Sequence, residues 1–543
     1  MVERAPRTGI RIRALGSPER WLVIATLVVF GVLPFASALV ASSSGWQATG
    51  DTAIIGLRAR DAWTGDAPLL GVPTTGDRSF GTPSNNPGPI EYWTLGATAR
   101  LFGPQAGLIL GIAAINAAAL VGVAWLAFRR GGTELLALTA VALAGLVWTL
   151  GPVSLWDPFN SEVTTYPMLL ALFAAWSVVI GDLRVLPVLV ASATVAAQVH
   201  VAGAAFVAPL VAVVVISLLV VARRRPKAIR RDAAYLGGAG ALGLLLWAPV
   251  IASELGSAPS NAAALWRTGT VDRPRIGLAF LLERLYAAVA PIPAFLQRSD
   301  FLTDASPIQV LLAGLVIGGA GTLALRLRTS RPRGPIPWFV GLITLTMISS
   351  VWVGSRQPPL AAFRPDGTRW LWVVSLAIWV ALLWAARALL PDAADARVDR
   401  RIVPSVALAA AAVVAVVTLA TFDLADIRDG EVMPQVGEIA AATVDALPAG
   451  AYHLQFEGDQ ALLGFGPAIA YRLEESGSTV SVDDNTFGRA FGDQRTRDAG
   501  STPTLRISSR TDAEAGDGEE LLIEMPVDPD DPAIGTIKVF VRR

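Results

Sequence analysis

Val185-Leu-Pro-Val-Leu-Val-Ala-Ser-Ala-Thr-Val-Ala-Ala-Gln-Val-His200-Val-Ala-Gly203, continued to Ala222 without an Asp, Glu, Lys or Arg, is the stretch that decides the fold. Read as one long apolar helix it crosses a bilayer once. Read as two, 185–200 and 202–222, it crosses twice and reverses the side of everything downstream. Each half comes close to the ~17–25 residues that a ~30 Å hydrocarbon core demands. Gly203 relaxes the backbone there, and the polar ring of His200 can reach an interface. The charges then choose between the two readings. With a turn near 200–203, one side of the membrane collects Arg129-Arg130, Arg184, the run Arg223 to Arg231, Arg326 to Arg333 and Arg387 to Arg401. The basic residues of segment 1–20 fall on that same side, as expected of a cytoplasmic face, whereas a single helix would split the set.

Outward from that stretch, apolar runs at 21–41, 104–128, 134–151, 163–180, 233–252, 305–327, 336–354, 369–386 and 402–420 bring the total to eleven spans. The fold class is therefore an α-helical polytopic membrane protein. Composition agrees, with 53% hydrophobic and 16% charged residues against roughly 25% charged in a soluble domain. The run 21–41 exceeds the length of a signal-peptide core, so Ala36-Ser37-Ala38 reads as part of a retained span rather than a cleavage site. Cysteine is absent, which excludes disulfides, thiolate metal sites and thiol nucleophiles.

An odd number of spans puts the loops 42–103, 152–162, 253–304 and 355–368 outside the cytoplasm, together with residues 423–543. The expected organisation is a cytoplasmic basic segment 1–20, a membrane module 21–422 and an extracytoplasmic tail 423–543, in the plasma membrane. The tail carries 23 acidic and 10 basic residues, leaving 21 and 34 upstream. Its patterning predicts helices at 434–447 and 459–475 and strands at 451–456, 479–483, 504–509, 520–526 and 536–541, a small α/β domain. The basic run 223–231 is topological, and no nucleic-acid partner is expected.

Chemistry is to be sought on the outer face. The first outside loop contains Gly50-Asp51-Thr-Ala-Ile-Ile-Gly-Leu-Arg58-Ala-Arg60-Asp61-Ala-Trp63, read as an amphipathic helix lying at the membrane surface. Beyond it come Gly71-Val-Pro73, Asp77, Ser84-Asn85-Asn86-Pro87-Gly88-Pro89 and Glu91-Tyr92-Trp93. Asp51 can cap that helix, accept a proton from a substrate hydroxyl, or do both. Asp61, Asp77 and Glu91 read as solvated or capping charges that could also serve as a second carboxylate. Trp156-Asp157-Pro158-Phe159-Asn160-Ser161-Glu162 forms the second outside loop. His200 is either an interfacial polar residue or a substrate contact, and His453 is structural. Arg356, Arg364 and Arg369 lie together beside a span and match phosphate geometry, whereas anionic headgroups account for other outside arginines.

An early Asp after the first span, a horizontal helix, a Gly-x-Pro turn, Pro87-Gly88-Pro89 and the aromatic Tyr92-Trp93 resemble, in that order, the polytopic GT-C glycosyltransferase superfamily. The likeness extends to Trp156-Asp157-Pro158, where Asn is commoner than Asp157, to Gln198-Val-His200, and to Gly466–Gly477, Val480-Ser-Val-Asp483 and Phe487-Gly488 in the tail, as in actinobacterial members. The resemblance implies a GT-C-like membrane module and a polyprenyl-phosphate sugar donor. The acceptor would be a glycan, lipid or protein of the cell envelope, with Asp51 as catalytic base. Asp77, Asn85, Asn86, Glu91, Asp157 and His200 are the expected substrate contacts, and Arg356, Arg364 and Arg369, by their phosphate-matching geometry, are expected at the donor's phosphate. Relatives often carry an acidic or basic residue where this chain has Asn85-Asn86, so a divalent metal stays open. Two other classes fit a membrane chain: a transporter or flippase for lipid-linked sugars, and a non-catalytic assembly partner. Nearly charge-free spans and the lack of paired halves weigh against transport.

Overall fold

The structure, a computed structural model, describes residues 16–74, 76, 79, 83–224, 226–257, 259–299, 302–330, 334–363, 365–389, 401–427, 430–485, 487–528 and 535–543. Among these, nine helices are long and apolar enough to cross a membrane. They are α1 (Ser17–Ser43), α4 (Pro104–Leu150), α5 (Asn160–Val179), α7 (Val201–Arg224), α8 (Ala233–Gly256), α11 (Pro307–Ser330), α12 (Pro335–Gly354), α13 (Trp370–Ala388) and α14 (Ile402–Ala420). A shorter apolar helix, α6 (Leu186–Val199), precedes α7, and the short helices α9 (Asn261–Thr270) and α10 (Leu278–Val289) lie between α8 and α11.

The decisive stretch is two helices. His200 adopts an extended conformation, φ −151° and ψ 141°, between α6 and α7. The expected spans 104–128 and 134–151 run together as the 47-residue α4, broken at Gly132 with φ 70° and ψ −156°, a conformation that glycine reaches without the Cβ clash. With α4 bent there and α6 included, the helices supply the eleven segments read from the sequence. Charges close the turns on one side: Arg129 and Arg130 both bind Asp182, and Arg387 pairs with Glu134 at 3.3 Å. At the centre stands α5, buried from Asn160 to Val178, with polar first turns and apolar residues on all sides beyond them, and a helix apolar all round is a buried one.

The tail folds as a five-stranded mixed sheet of order β2-β1-β3-β5-β4, with β1 (Ala451–Glu457), β2 (Thr479–Val482), β3 (Thr504–Ser508), β4 (Glu519–Pro526) and β5 (Thr536–Arg542). β1 runs parallel to β2 and β3, while β5 is antiparallel to β3 and β4. Helices α15 (Met433–Ala446) and α16 (Gly466–Glu475) pack on it, and α16 follows a π-helical turn at Ala461–Phe465.

Two helices on the tail side, α2 (Gly50–Asp61) and α3 (Ile90–Phe102), join tail and membrane module. The sequence reading placed α2 on the membrane surface; instead nine of its twelve residues are buried, because it lies between α3 and α16. Its apolar residues Ala53, Ile54, Ile55, Leu57 and Ala59 surround the helix rather than forming one stripe, so burial on both sides is the stable outcome. Gly56 permits the approach, since a Cβ there would come within 2.9 Å of Tyr471 Cζ.

Candidate active site

The loop 152–162 is fixed from several directions. Asn116, a buried amide in α4, donates to the carbonyls of Ser154, Leu155 and Glu162 at 3.1–3.3 Å. Trp156 is fully buried, donates from Nε1 to Ser37 Oγ at 3.0 Å, and meets Trp46 edge-on. Asp157 Oδ1 accepts from the Phe159 backbone at 2.7 Å. Burying these amides and rings in an apolar bundle makes their bonds stiff, because leaving any of them unmade is costly.

Beside this loop a cavity of about 410 Å³ opens between the tail-side ends of α4, α5 and α14 and the start of the tail. Its polar wall includes Asp157, Glu162, Arg298, Arg369, Asp423 and Asp426. Arg369, at the head of α13 and 1% exposed, donates to Glu162 Oε1 at 2.6 Å. The guanidinium of Arg298 sits 5.9 Å from the Trp148 ring. Glu162 belongs to the loop motif without an expected role, and Asp423 and Asp426 carry no expectation from the sequence. Acidic residues directly after a last span were the signal that could have found them.

Glu91, at the start of α3 and outside the spanning helices, was read as solvated or capping but is 3% exposed, with Oε1 making no hydrogen bond. Burial, assisted by the charge of Asp157, holds its carboxyl well above the usual range. Tyr92 is pushed up by burial as well, and feels the charges of Arg58, Glu91, Asp61 and Asp51. Carboxylates thus follow one another from the cavity wall at Asp157 through Glu91 to α2.

Asp51 is half-buried in the first turn of α2 and does not line the cavity. The cap is Thr49, whose backbone N–H donates to Thr52 Oγ1 at 2.9 Å, so Asp51 is relieved of the capping role the sequence offered it. Gly50 has φ +44°, and a Cβ on it would fall 2.2 Å from the Leu463 carbonyl, so the tail segment 461–465 covers this helix start. Asp61, read as a solvated or capping charge, is buried in an ion pair with Arg495 of the tail at 2.8 Å.

Asn85 and Asn86 serve the loop's own architecture. The Asn85 side chain donates to Gly71 O at 2.9 Å, its backbone exchanges bonds with Asn261, and Asn86 Oδ1 accepts from Val201 N at the head of α7. His200 Nδ1 accepts from Ala202 N at 3.2 Å, and Gln198 Nε2 donates to Leu246 O while its Oε1 accepts from Ile90 N. Arg356 stacks on Trp352 at 3.5 Å, whereas Arg369 binds Glu162 at the cavity. Asp77 and Arg364 lie outside the described residues. His453 is buried between Ser481 and Asp483, the structural role expected. No group of three or more His, Cys, Asp or Glu able to hold a metal ion occurs among the described residues.

No family model and no curated protein matches the chain. Among solved structures it is similar to the crystal structure of ArnT from Cupriavidus metallidurans in the apo state, with a TM-score of 0.49 and 13% identity over 96% of this chain and 97% of that one.

Proposed function

We infer that the chain is a membrane glycosyltransferase that moves a sugar from a polyprenyl-phosphate donor to an extracytoplasmic glycan, lipid or protein of the cell envelope. The observation that carries this reading is the cavity itself, a polar chamber with two arginines opening at the outer ends of membrane-crossing helices. A lipid phosphate presents its sugar at that depth, and guanidinium groups suit the departing phosphate.

Asp51 is the general base in this reading. It takes the proton of the acceptor hydroxyl while that oxygen bonds to the anomeric carbon. The bond from that carbon to the donor's phosphate oxygen breaks, and the electron pair stays on the phosphate. The first turn of α2 holds the carboxylate at a helix N-terminus, an end that favours negative charge. A second reading makes Asp157 the base, favoured by its place in the cavity wall.

Transfer by Asp51→Asn and Asp157→Asn proteins separates the two. Asn keeps the volume and removes the basicity, and loss of a general base costs ~10²–10⁴ in rate. Such a loss in D51N alone supports the first reading. Normal transfer by a folded D51N protein with a crippled D157N moves the role to Asp157, and normal transfer by both ends the base assignment.

A further inference from the structure

Thr149 and Glu162, both in the cavity wall, each carry a side-chain oxygen with no hydrogen-bond partner among the described residues, where partners are obligatory. Thr149, at the outer end of α4 and 6% exposed, makes no hydrogen bond through Oγ1. Glu162, 4% exposed, gives Oε1 to Ser161 and Arg369, at 2.7 and 2.6 Å, and leaves Oε2 bare. Both residues line the same cavity. Buried polar groups are satisfied in the great majority of cases, and each exception calls for a missing partner.

The partner's chemistry follows from the atoms. A carboxylate oxygen can only accept, and a threonine hydroxyl can do either, so the occupant carries hydroxyls at more than one position. The Glu162 carboxylate is already balanced by Arg369, which removes the need for a cationic ligand. The cavity also meets the lipid boundary. Trp148 in its wall is 40% exposed, and Val416, next to the lining residue Val417, is 66% exposed.

We propose that this cavity seats the sugar ring of a lipid-borne donor, with Glu162 Oε2 and Thr149 Oγ1 as the hydrogen-bond partners of its hydroxyls and hence as specificity-determining residues. The proposal rests on the glycosyltransferase reading and refines it. It assigns sugar recognition to residues of the membrane module other than the base Asp51, which is not among the residues that line the cavity.

The test is binding without turnover, by native mass spectrometry or calorimetry of the full chain in detergent. Its probes are farnesyl phosphate, the mannosyl, glucosyl and arabinosyl esters of farnesyl phosphate, and a free disaccharide. The wild type should hold at least one ester more tightly than bare farnesyl phosphate. Thr149→Val removes a hydroxyl that bonds to nothing in the protein, so the fold keeps its stability. It should weaken ester binding about 3- to 10-fold, the worth of one neutral hydrogen bond, with bare farnesyl phosphate unaffected. Glu162→Gln, which keeps the volume, should weaken the ester about tenfold or more, as expected for a bond to a charged group. Equal affinity of the wild type for the bare phosphate and all three esters overturns the proposal. So does a T149V protein with unaltered ester affinity, and so does sensitivity to T149V that appears with the free disaccharide alone. Because the readout is affinity, D51N should behave as wild type here even if it is inactive, which keeps the failure of one assignment distinct from the failure of the other.

Discussion

Replacing Asp61 by Asn removes the anionic half of the contact that joins tail to membrane module. Arg495 reaches Asp61 with both terminal nitrogens at 2.8 Å, and Glu474 through Nε at 2.6 Å and Nη2 at 2.8 Å. Arg58 and Gln494 also donate to Asp61, at 2.9 and 2.5 Å. Burial alone would lower the Arg495 pKa, but the bonds to Glu474 and Asp61 reverse that and hold it above its ordinary value. Breaking one side of a buried pair costs about 3–5 kcal/mol, mostly because the remaining charge is stranded. Glu474 stays in place and Asn retains one acceptor oxygen, so the low end applies, about 3 kcal/mol. At 1.4 kcal/mol per decade the undocked population rises roughly a hundredfold. Hydrogen exchange of α16, β1 and β2 in detergent reads this directly, together with the protease sensitivity of the connection between α14 and α15. Arg510→Gln is the control, since Arg510 and Asp512 form an exposed pair worth little. A D61N protein as protected as R510Q would show that the ion pair does not hold the modules together.

Two further outcomes test the surroundings of Asp51. Glu91 has a folded pKa raised by burial and by Asp157, so the folded state binds its proton more tightly than the unfolded chain does. Its contribution is complete below the unfolded carboxyl pKa and is lost as pH rises toward the folded one. Glu91→Gln should remove that decline, matching the wild type in acid and exceeding it at higher pH; thermal scans from pH 4 to 8 in which E91Q falls increasingly below the wild type would contradict the sign. Gly50→Ala forces a side chain into φ +44° and toward the Leu463 carbonyl, at a cost of about 1–2 kcal/mol for the conformation alone. Unchanged exchange protection of segment 461–465 in G50A would mean that the close contact does not exist in solution.

The helix count and the turn at His200 were legible because hydropathy and loop charge are strong, local signals, and the tail's strands showed for the same reason. What the sequence hid is burial by long-range partners. Asp61 and Glu91 look like solvated charges in a polar loop, since nothing nearby announces Arg495, some 430 residues later, or Asp157 on another loop. The α2 helix was taken for a surface helix because its second partner, α16, belongs to the tail. Asn85 and Asn86 read as a departure at a substrate position, while their amides bond to Gly71, Asn261 and Val201. Thr149 and Glu162 carry no sequence signal, because an unsatisfied atom exists only once the chain has folded around it.

The same geometry makes tail docking and the placement of Asp51 a single equilibrium. A helix of twelve residues, as α2 is, is marginal in isolation, and this one has little apolar asymmetry with which to hold one face on the bundle. It persists because α3 takes one side and α16 the other, with Gly50 and Gly56 letting the tail backbone and Tyr471 come close. The buried cluster of Asp61, Arg495 and Glu474 adds direction rather than much net stability, since desolvation offsets most of the attraction of such a pair. Apolar contacts alone would tolerate a tail rotated or shifted along α2. A guanidinium gripping two carboxylates tolerates one register, and that register brings segment 461–465 over the first turn of α2. If Asp51 is the base, the space above it has its shape only when the tail is docked, although every span and the cavity itself belong to the membrane module or its boundary.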